Sequence, residues 1–259
     1  VKGQPVRGKV GQPSVPFSLN SQGAYSIGLK IGRHRSELVL MDFVGSILAT
    51  REISYRYPVV EDLLSFVSGV APELIDIIDE PLRDRIVGIG IATPFELWNW
   101  GNEVGAPQSV MAAWNGFDIK QEVSRAAQLS AYLQNDATAA CAAELTFGNI
   151  DQHDNFLYIY IGYFIGGGLV LNGSVFEGPN GNAGSLGALP IRIRNRSDGY
   201  SGDCHQLIRD TSKISLQRML EAAGKDPSPI WDVNSDWSTL GEALDNWIDQ
   251  LSEDLAYAI

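Results

Sequence analysis

Three groups of residues in this chain have the types and spacing to do chemistry. Between positions 159 and 190 glycines cluster twice, first as Gly162 with Gly166, Gly167 and Gly168, then from Gly178 to Gly187. Glycine lets main-chain N–H groups approach a ligand, or adopt positive φ, where a side chain would clash. The flanking strand formers, 156–161 and 169–171 closed by Asn172-Gly173, predict a hairpin with a tip of nearly bare backbone, and the second cluster reads as a loop entering a short helix. Plain flexible turns have the same composition. Asn135-Asp136 opens a run of small residues, Ala137 to Ala143, that reads as a helix. A carboxylate there faces helix N–H groups that favour its charge; it could equally be an ordinary N-cap, worth about 1 kcal/mol. Finally, Ala92-Thr93-Pro94 follows a buried strand, 86–91, at the carboxyl edge where open α/β sheets place their ligands.

Other candidates carry less. Cys141 and Cys204 lie far apart in contexts that read as helical, so a disulfide framework or a paired-cysteine site is unsupported and no metal is expected. Trp98, Trp100 and Trp114 stand in a loop, 95–116, where they could stack on a sugar ring or plug a subdomain interface. The 259 residues, 44% hydrophobic and 19% charged, suffice for a sizeable core in one or two domains. No run of about eighteen apolar residues exists and the start lacks a signal-like apolar core, so no membrane partner and a cytoplasmic location are expected. A net charge of −12 argues against nonspecific binding of this piece to nucleic acid. Residues 1–12 are the exception: with Lys2, Arg7, Lys9 and no acid they read as an extended linker or a disordered terminus. The start at Val1 and the stop inside an apolar helical run, 251–259, read as signs of a fragment.

To hold these groups in place the pattern predicts strands at 24–29, 37–41 and 46–53 as an antiparallel meander, with a turn at 42–45. A helix over 59–78 follows, which Pro72 must break or restart. Next come the strand 86–91, a helix at 117–127 with Asp118 near its start, a strand at 130–133, the helix to Gly148, the strand from Phe156, and helices at 204–223 and from 237 onward. This α/β order resembles the actin/hexokinase-like (ribonuclease H-like) ATPase architecture, whose two lobes each open with a hairpin around a nucleotide and sugar cleft. The expected division is a linker at 1–22 after an absent helix-turn-helix domain, an N-terminal lobe at 23–134, and a C-terminal lobe at 135–259 truncated at its end.

With Gln134-Asn135-Asp136-Ala137-Thr138, the hairpin Gly162 to Gly173 and Asn182-Ala183-Gly184 in this order, the chain resembles the ROK family of sugar kinases and sugar-responsive repressors. The opening Gly8-Lys9-Val10-Gly11-Gln12-Pro13 is similar to the linker that follows the DNA-binding head of the family's repressors. The resemblance implies that Asp136 would be the general base of a kinase, taking the proton of the attacking sugar hydroxyl, while Asn135 holds another hydroxyl. It also implies a ligand set of Thr93, Asn135, Asp136, Gly184 and Ser185, with Gly32, Gly162, Gly166, Gly167 and Gly168 in phosphate-loop-like positions.

The departures fall at ligand positions. Where family kinases carry Asp-x-Gly-x-Thr, with the Asp orienting the Mg²⁺ water shell, this chain has Lys30-Ile31-Gly32-Arg33-His34. The second hairpin has Gly162-Tyr163-Phe164-Ile165-Gly166 for Gly-Thr-Gly-Ile-Gly, and the sugar loop has Ser185-Leu186-Gly187-Ala188 for Glu-x-Gly-His. The family's zinc motif is reduced to Cys204, from which four ligands cannot be assembled. Gln134 replaces a Glu often seen before Asn-Asp. These losses favour the sensor and oligomerisation part of a regulator, a homodimer or homotetramer that binds a sugar-like effector without phosphorylating it and reaches DNA through a domain outside this chain. The alternatives are an ATP-dependent sugar kinase, supported by Asn135 and Asp136, and a ligand-free oligomerisation domain. ATP and Mg²⁺ belong only to the kinase alternative; otherwise no cofactor is expected.

Overall fold

Alternating residues build the first sheet. In β1 (Tyr25–Ile31) Tyr25, Ile27, Leu29 and Ile31 are buried, and in β2 (Arg35–Asp42) Ser36, Leu38 and Leu40 are buried, so period-two patterning turns one face of each strand to the core. The Asp42 carboxylate accepts from the Val44 and Ser46 amides at 3.0 and 2.8 Å, closing the turn into β3 (Ile47–Ser54). The computed structural model describes residues 1–4, 14–101, 105–148, 153–195, 199–232 and 234–259. Arg7, Lys9 and the linker-like stretch around them lie outside the described residues. The Gly3 amide donates to the Pro16 carbonyl at 2.8 Å, and Lys2 pairs with Phe17 in an antiparallel bridge.

Two parallel strands, β4 (Ile86–Thr93) and β5 (Ala131–Asn135), complete a sheet of order β3-β2-β1-β4-β5. The helices α1 (Val60–Asp76) and α2 (Ile119–Ala127) pack on each other, and α1 packs on β2. Pro72 lies inside α1 without breaking it, against expectation. Proline removes one N–H donor, at a cost of about 3 kcal/mol in a helix interior. The buried stripe Leu63, Val67, Ala71 and Leu74 outweighs that, since each large apolar side chain contributes about 1.5–3 kcal/mol. Trp114 belongs to this core: its Nε1–H donates to the Pro58 carbonyl at 3.0 Å, its ring meets Phe117 edge-on, and Trp98 packs against the same cluster. Asp118 caps α2 by accepting from the Gln121 amide.

The chain divides into two compact units, Val1–Asp136 and Ala137–Ile259. In the second, β6 (Phe156–Ile161), β7 (Ile165–Leu171) and β8 (Ser174–Val175) form an antiparallel sheet. Asn172 and Gly173, at φ 51° and 70°, make the tight β7–β8 turn that this residue pair is suited to. The helix α3 (Asp136–Phe147) precedes this sheet; a hairpin of β9 (Pro190–Asn195) and β10 (Gly199–Gln206), a single turn at Ile208–Thr211, and helices α4 (Lys213–Ala222) and α5 (Glu242–Ala258) follow it. Their core gathers Ile165, Ile191, Leu207, Leu216, Leu220, Trp247 and Leu251.

Two expectations change here. Cys204 lies in a strand, not a helix, because 199–206, with two glycines, pairs with β9 instead of burying a helical stripe. Gly166, Gly167 and Gly168 are not at the hairpin tip but inside β7. The tip is Gly162-Tyr163-Phe164, so it carries two aromatic rings where bare backbone was expected.

Candidate functional site

In the first unit the parallel strands bring the candidate residues to one sheet edge. Lys30 of β1 is in register with Ala92 of β4, and Thr93 of β4 with Asn135 of β5; Asp136 follows as the first residue of α3. Lys30, Thr93, Asn135 and Asp136 therefore share the carboxyl ends of three adjacent strands, where side chains and a helix start converge. Asn135 Nδ2–H donates to Asp136 Oδ1 at 3.3 Å, and the Asn135 amide donates to Gln134 Oε1 at 2.8 Å. The half-buried amide and carboxylate form a donor and acceptor pair of the kind that grips a hydroxylated molecule. Lys30, on the same edge, is exposed.

The turn after β1 is closed on itself. The Gly32 amide donates to the Arg35 carbonyl at 2.9 Å, and the Gly32 carbonyl accepts from the Tyr55 hydroxyl at 2.7 Å. A Cβ at Gly32 would stand 2.6 Å from the Arg35 carbonyl oxygen, which explains the glycine without a ligand. Ser36 Oγ lies 2.7 Å from the same Tyr55 hydroxyl, and burial pushes the phenol pKa up to about 12 against the lowering effect of both bonds. Nothing in local spacing marked Tyr55, which reaches the turn from beyond the end of β3.

In the second unit the glycines of β7 serve packing. Cβ atoms at Gly166, Gly167 and Gly168 would meet Ala137 Cβ at 3.0 Å, the Tyr158 carbonyl oxygen at 2.4 Å and Cys141 Cβ at 2.2 Å, so their bareness seats α3 and β6 against the strand. Gly184 is buried, and a Cβ there would lie 2.2 Å from the Gly167 carbonyl oxygen; Ser185 beside it is exposed. The hairpin tip is occupied by the chain itself. The Tyr163 ring stacks on Trp231 with centroids 5.2 Å apart, and Phe164 meets Tyr163 edge-on at 5.3 Å. The first amides of α4 point at the tip: Lys213 donates to the Gly162 carbonyl at 3.1 Å and Ile214 to the Tyr163 carbonyl at 3.3 Å. The Ile165 amide donates to Ser212 Oγ at 2.9 Å. Lys213 Nζ donates to the Ile230 carbonyl and lies 4.9 Å from the Trp237 ring centroid, and burial lowers its pKa.

The structure thus unites Thr93, Asn135 and Asp136 at one edge, while Gly184, Ser185 and the hairpin glycines belong to the other unit. Sequence reading missed the Tyr163–Trp231–Lys213 assembly, because 68 positions separate its outer aromatics and only tertiary packing joins them.

Comparison with known proteins shows the family and the fold. The chain is 26% identical over 192 residues to the xylose repressor of Bacillus subtilis, covering 70% of this chain and 46% of that protein. It is 32% identical over 110 residues to the glucokinase of Halalkalibacterium halodurans, covering 42% of this chain and 32% of that one. The chain spans about half the length of the curated repressors it matches. Among solved structures, a ROK family transcriptional regulator described as a homologue of the E. coli MLC protein superposes with a TM-score of 0.63 at 23% identity, over 95% of this chain and 64% of that one. The actin/hexokinase-like fold expected from the element order is the fold of these neighbours. With the ROK family pattern matching residues 26–222, across both units, the chain belongs to the ROK family.

Proposed function

We propose that this chain is the effector-sensing and oligomerising part of a ROK transcriptional regulator. It takes a sugar-like molecule at the strand edge of Thr93, Asn135 and Asp136 and does not phosphorylate it. The observation that carries this reading is Lys30. It stands on the strand edge shared with Asp136, where a kinase needs a carboxylate to organise its metal ion, and an ammonium there repels Mg²⁺.

The two hairpin turns support the same reading. Gly32 spends its amide and its carbonyl on Arg35 and Tyr55, and the second tip is filled by Tyr163 and Phe164, with its carbonyls bonded to α4. These residues do not fit a magnesium nucleotide, because carbonyls and rings stand where phosphate oxygens need N–H donors. The repressor relatives are about twice as long as the matched region, which supports assigning DNA contact to a part of the protein outside this chain. The retained Asn135-Asp136 pair and the similarity to a glucokinase favour the kinase as the second reading.

One experiment separates the two. The protein is offered hexoses, pentoses and N-acetylated amino sugars, first in calorimetry and then with Mg²⁺-ATP. The expected result is binding of at least one sugar, weakened about tenfold or more by Asp136→Asn, because a charged acceptor is worth about 1.5–3 kcal/mol, with no turnover. Turnover of about 1–100 s⁻¹, the range of working kinases, would overturn the regulator reading. Sugar binding that Asp136→Asn changes less than twofold would move the effector site elsewhere.

A further inference from the structure

The turn that follows β10 gathers three side chains that the sugar site does not use. His205 from the end of β10, Asp210 from the single turn Ile208–Thr211 and Asp254 from α5 each place one ligand-capable atom within 4.8 Å of the other two. The His205 side chain is 9% exposed, and Asp254 as a residue is 5% exposed. Among the described residues, neither ring nitrogen of His205 and not Asp254 Oδ2 has a hydrogen-bond partner. His205 Nε2 lies 3.0 Å from Asp210 Oδ2, but out of line for a hydrogen bond. Asp254 Oδ1 accepts from Gln250 Nε2 at 2.9 Å, which leaves the buried Oδ2 as its unmet acceptor. Orphaned buried polar atoms of this kind cost about 1–3 kcal/mol each, more when charged, and native interiors hold few of them.

We propose that His205, Asp210 and Asp254 bind a divalent transition-metal ion, Zn²⁺ foremost, which ties the last helix to the β9–β10 hairpin. The donor set decides the class of ion. One neutral imidazole and two carboxylates neutralise a dication and suit an ion of intermediate softness, whereas Mg²⁺ and Ca²⁺ prefer six or more oxygens. A tetrahedral ion about 2.0–2.2 Å from each donor holds the donors about 3.3–3.6 Å apart, so binding would part His205 Nε2 and Asp210 Oδ2 slightly from their 3.0 Å, keep Asp254 within reach of both, and leave one position for water. Arg209 Nε lies 3.3 Å from Asp210 Oδ2, with its side chain 60% exposed. The site has no cysteine: Cys204 is exposed and, as the residue before His205 on the strand, faces the other way by alternation.

The test uses the whole chain, stripped with a chelator and titrated with Zn²⁺, Mg²⁺ and Ca²⁺ in turn. One equivalent of Zn²⁺ should bind and raise the unfolding temperature by several degrees, while Mg²⁺ and Ca²⁺ at equal concentration do neither. Asp254→Asn and His205→Gln should each weaken Zn²⁺ by at least about 100-fold, more than a neighbour that merely orients a ligand is worth. Cys204→Ser should leave affinity within twofold. The Co²⁺-loaded wild-type protein should show ligand-field absorption without a thiolate charge-transfer band, a readout that stands even if the variants fail to fold. Absence of Zn²⁺ binding, loss of binding in Cys204→Ser, or a thiolate band would each overturn the proposal. None of these outcomes depends on sugar binding or on kinase activity.

Discussion

Tyr55 shows how one side chain can hold a turn in shape. Its hydroxyl donates to the Gly32 carbonyl and meets Ser36 Oγ, so the turn that carries Lys30 at its root is braced from behind. The raised phenol pKa sets a sign for its pH dependence. The folded form keeps its proton up to about 12, against an ordinary value of 10.0, so the stabilisation is complete below pH 10 and is lost as pH rises through about 12. Tyr55→Phe should cost about 1 kcal/mol at neutral pH, the worth of one hydrogen bond, and should flatten the alkaline limb of the stability curve. Denaturant titrations at a series of pH values check both effects, and an unchanged alkaline limb would remove Tyr55 as its source. At this scale the sequence was a partial guide. Asn135, Asp136 and Thr93 were legible because a strand-end position follows from local pattern. Tyr55, Trp231 and the His205 cluster were not, because each acts on a neighbour far along the chain and no spacing rule reaches that distance.

At the scale of elements, the glycines divide by what surrounds them. Gly69 lies on the exposed side of α1 with nothing within 4 Å of a Cβ, so Gly69→Ala should stabilise the protein by about 0.5–1 kcal/mol through helix propensity alone. Gly184 is the opposite case: a Cβ would strike the Gly167 carbonyl and the Gly168 Cα, both backbone, so Gly184→Ala should cost about 1–3 kcal/mol or more. Urea midpoints measured on the two variants decide this; equal shifts would mean that the loop, not the strand, moves to make room. The same contrast explains why the glycine motif misled. A run of glycines marks close approach of backbone, and the sequence does not say whether the approaching group is a phosphate or, as at Gly168, the neighbouring Cys141. Pro72 misled for a related reason: the rule that proline ends a helix weighs one hydrogen bond, whereas the outcome weighs the whole buried stripe.

For the whole molecule, two separate cores and a net charge of −12 set the terms. The meander, the parallel crossovers and the element order were legible because strand alternation and helix spacing repeat over many residues, and errors at single positions average out. The β9–β10 hairpin was not, since its glycine-bearing second strand lacks a clear alternation of apolar residues. With a core in each unit, unfolding need not be a single event, and separate reporters are needed to follow it. The packing of α3 on β7 supplies one. Cys141 is buried under Gly168 and its thiol pKa is raised by burial, whereas Cys204 is exposed. A native sample given a thiol reagent should therefore lose one free thiol at once and the second only as fast as the helix lifts from the strand. The two cysteines then work as a clock with a fixed zero, the slow hand timing local opening. A ligand that tightens this unit should slow that hand and leave the fast one untouched.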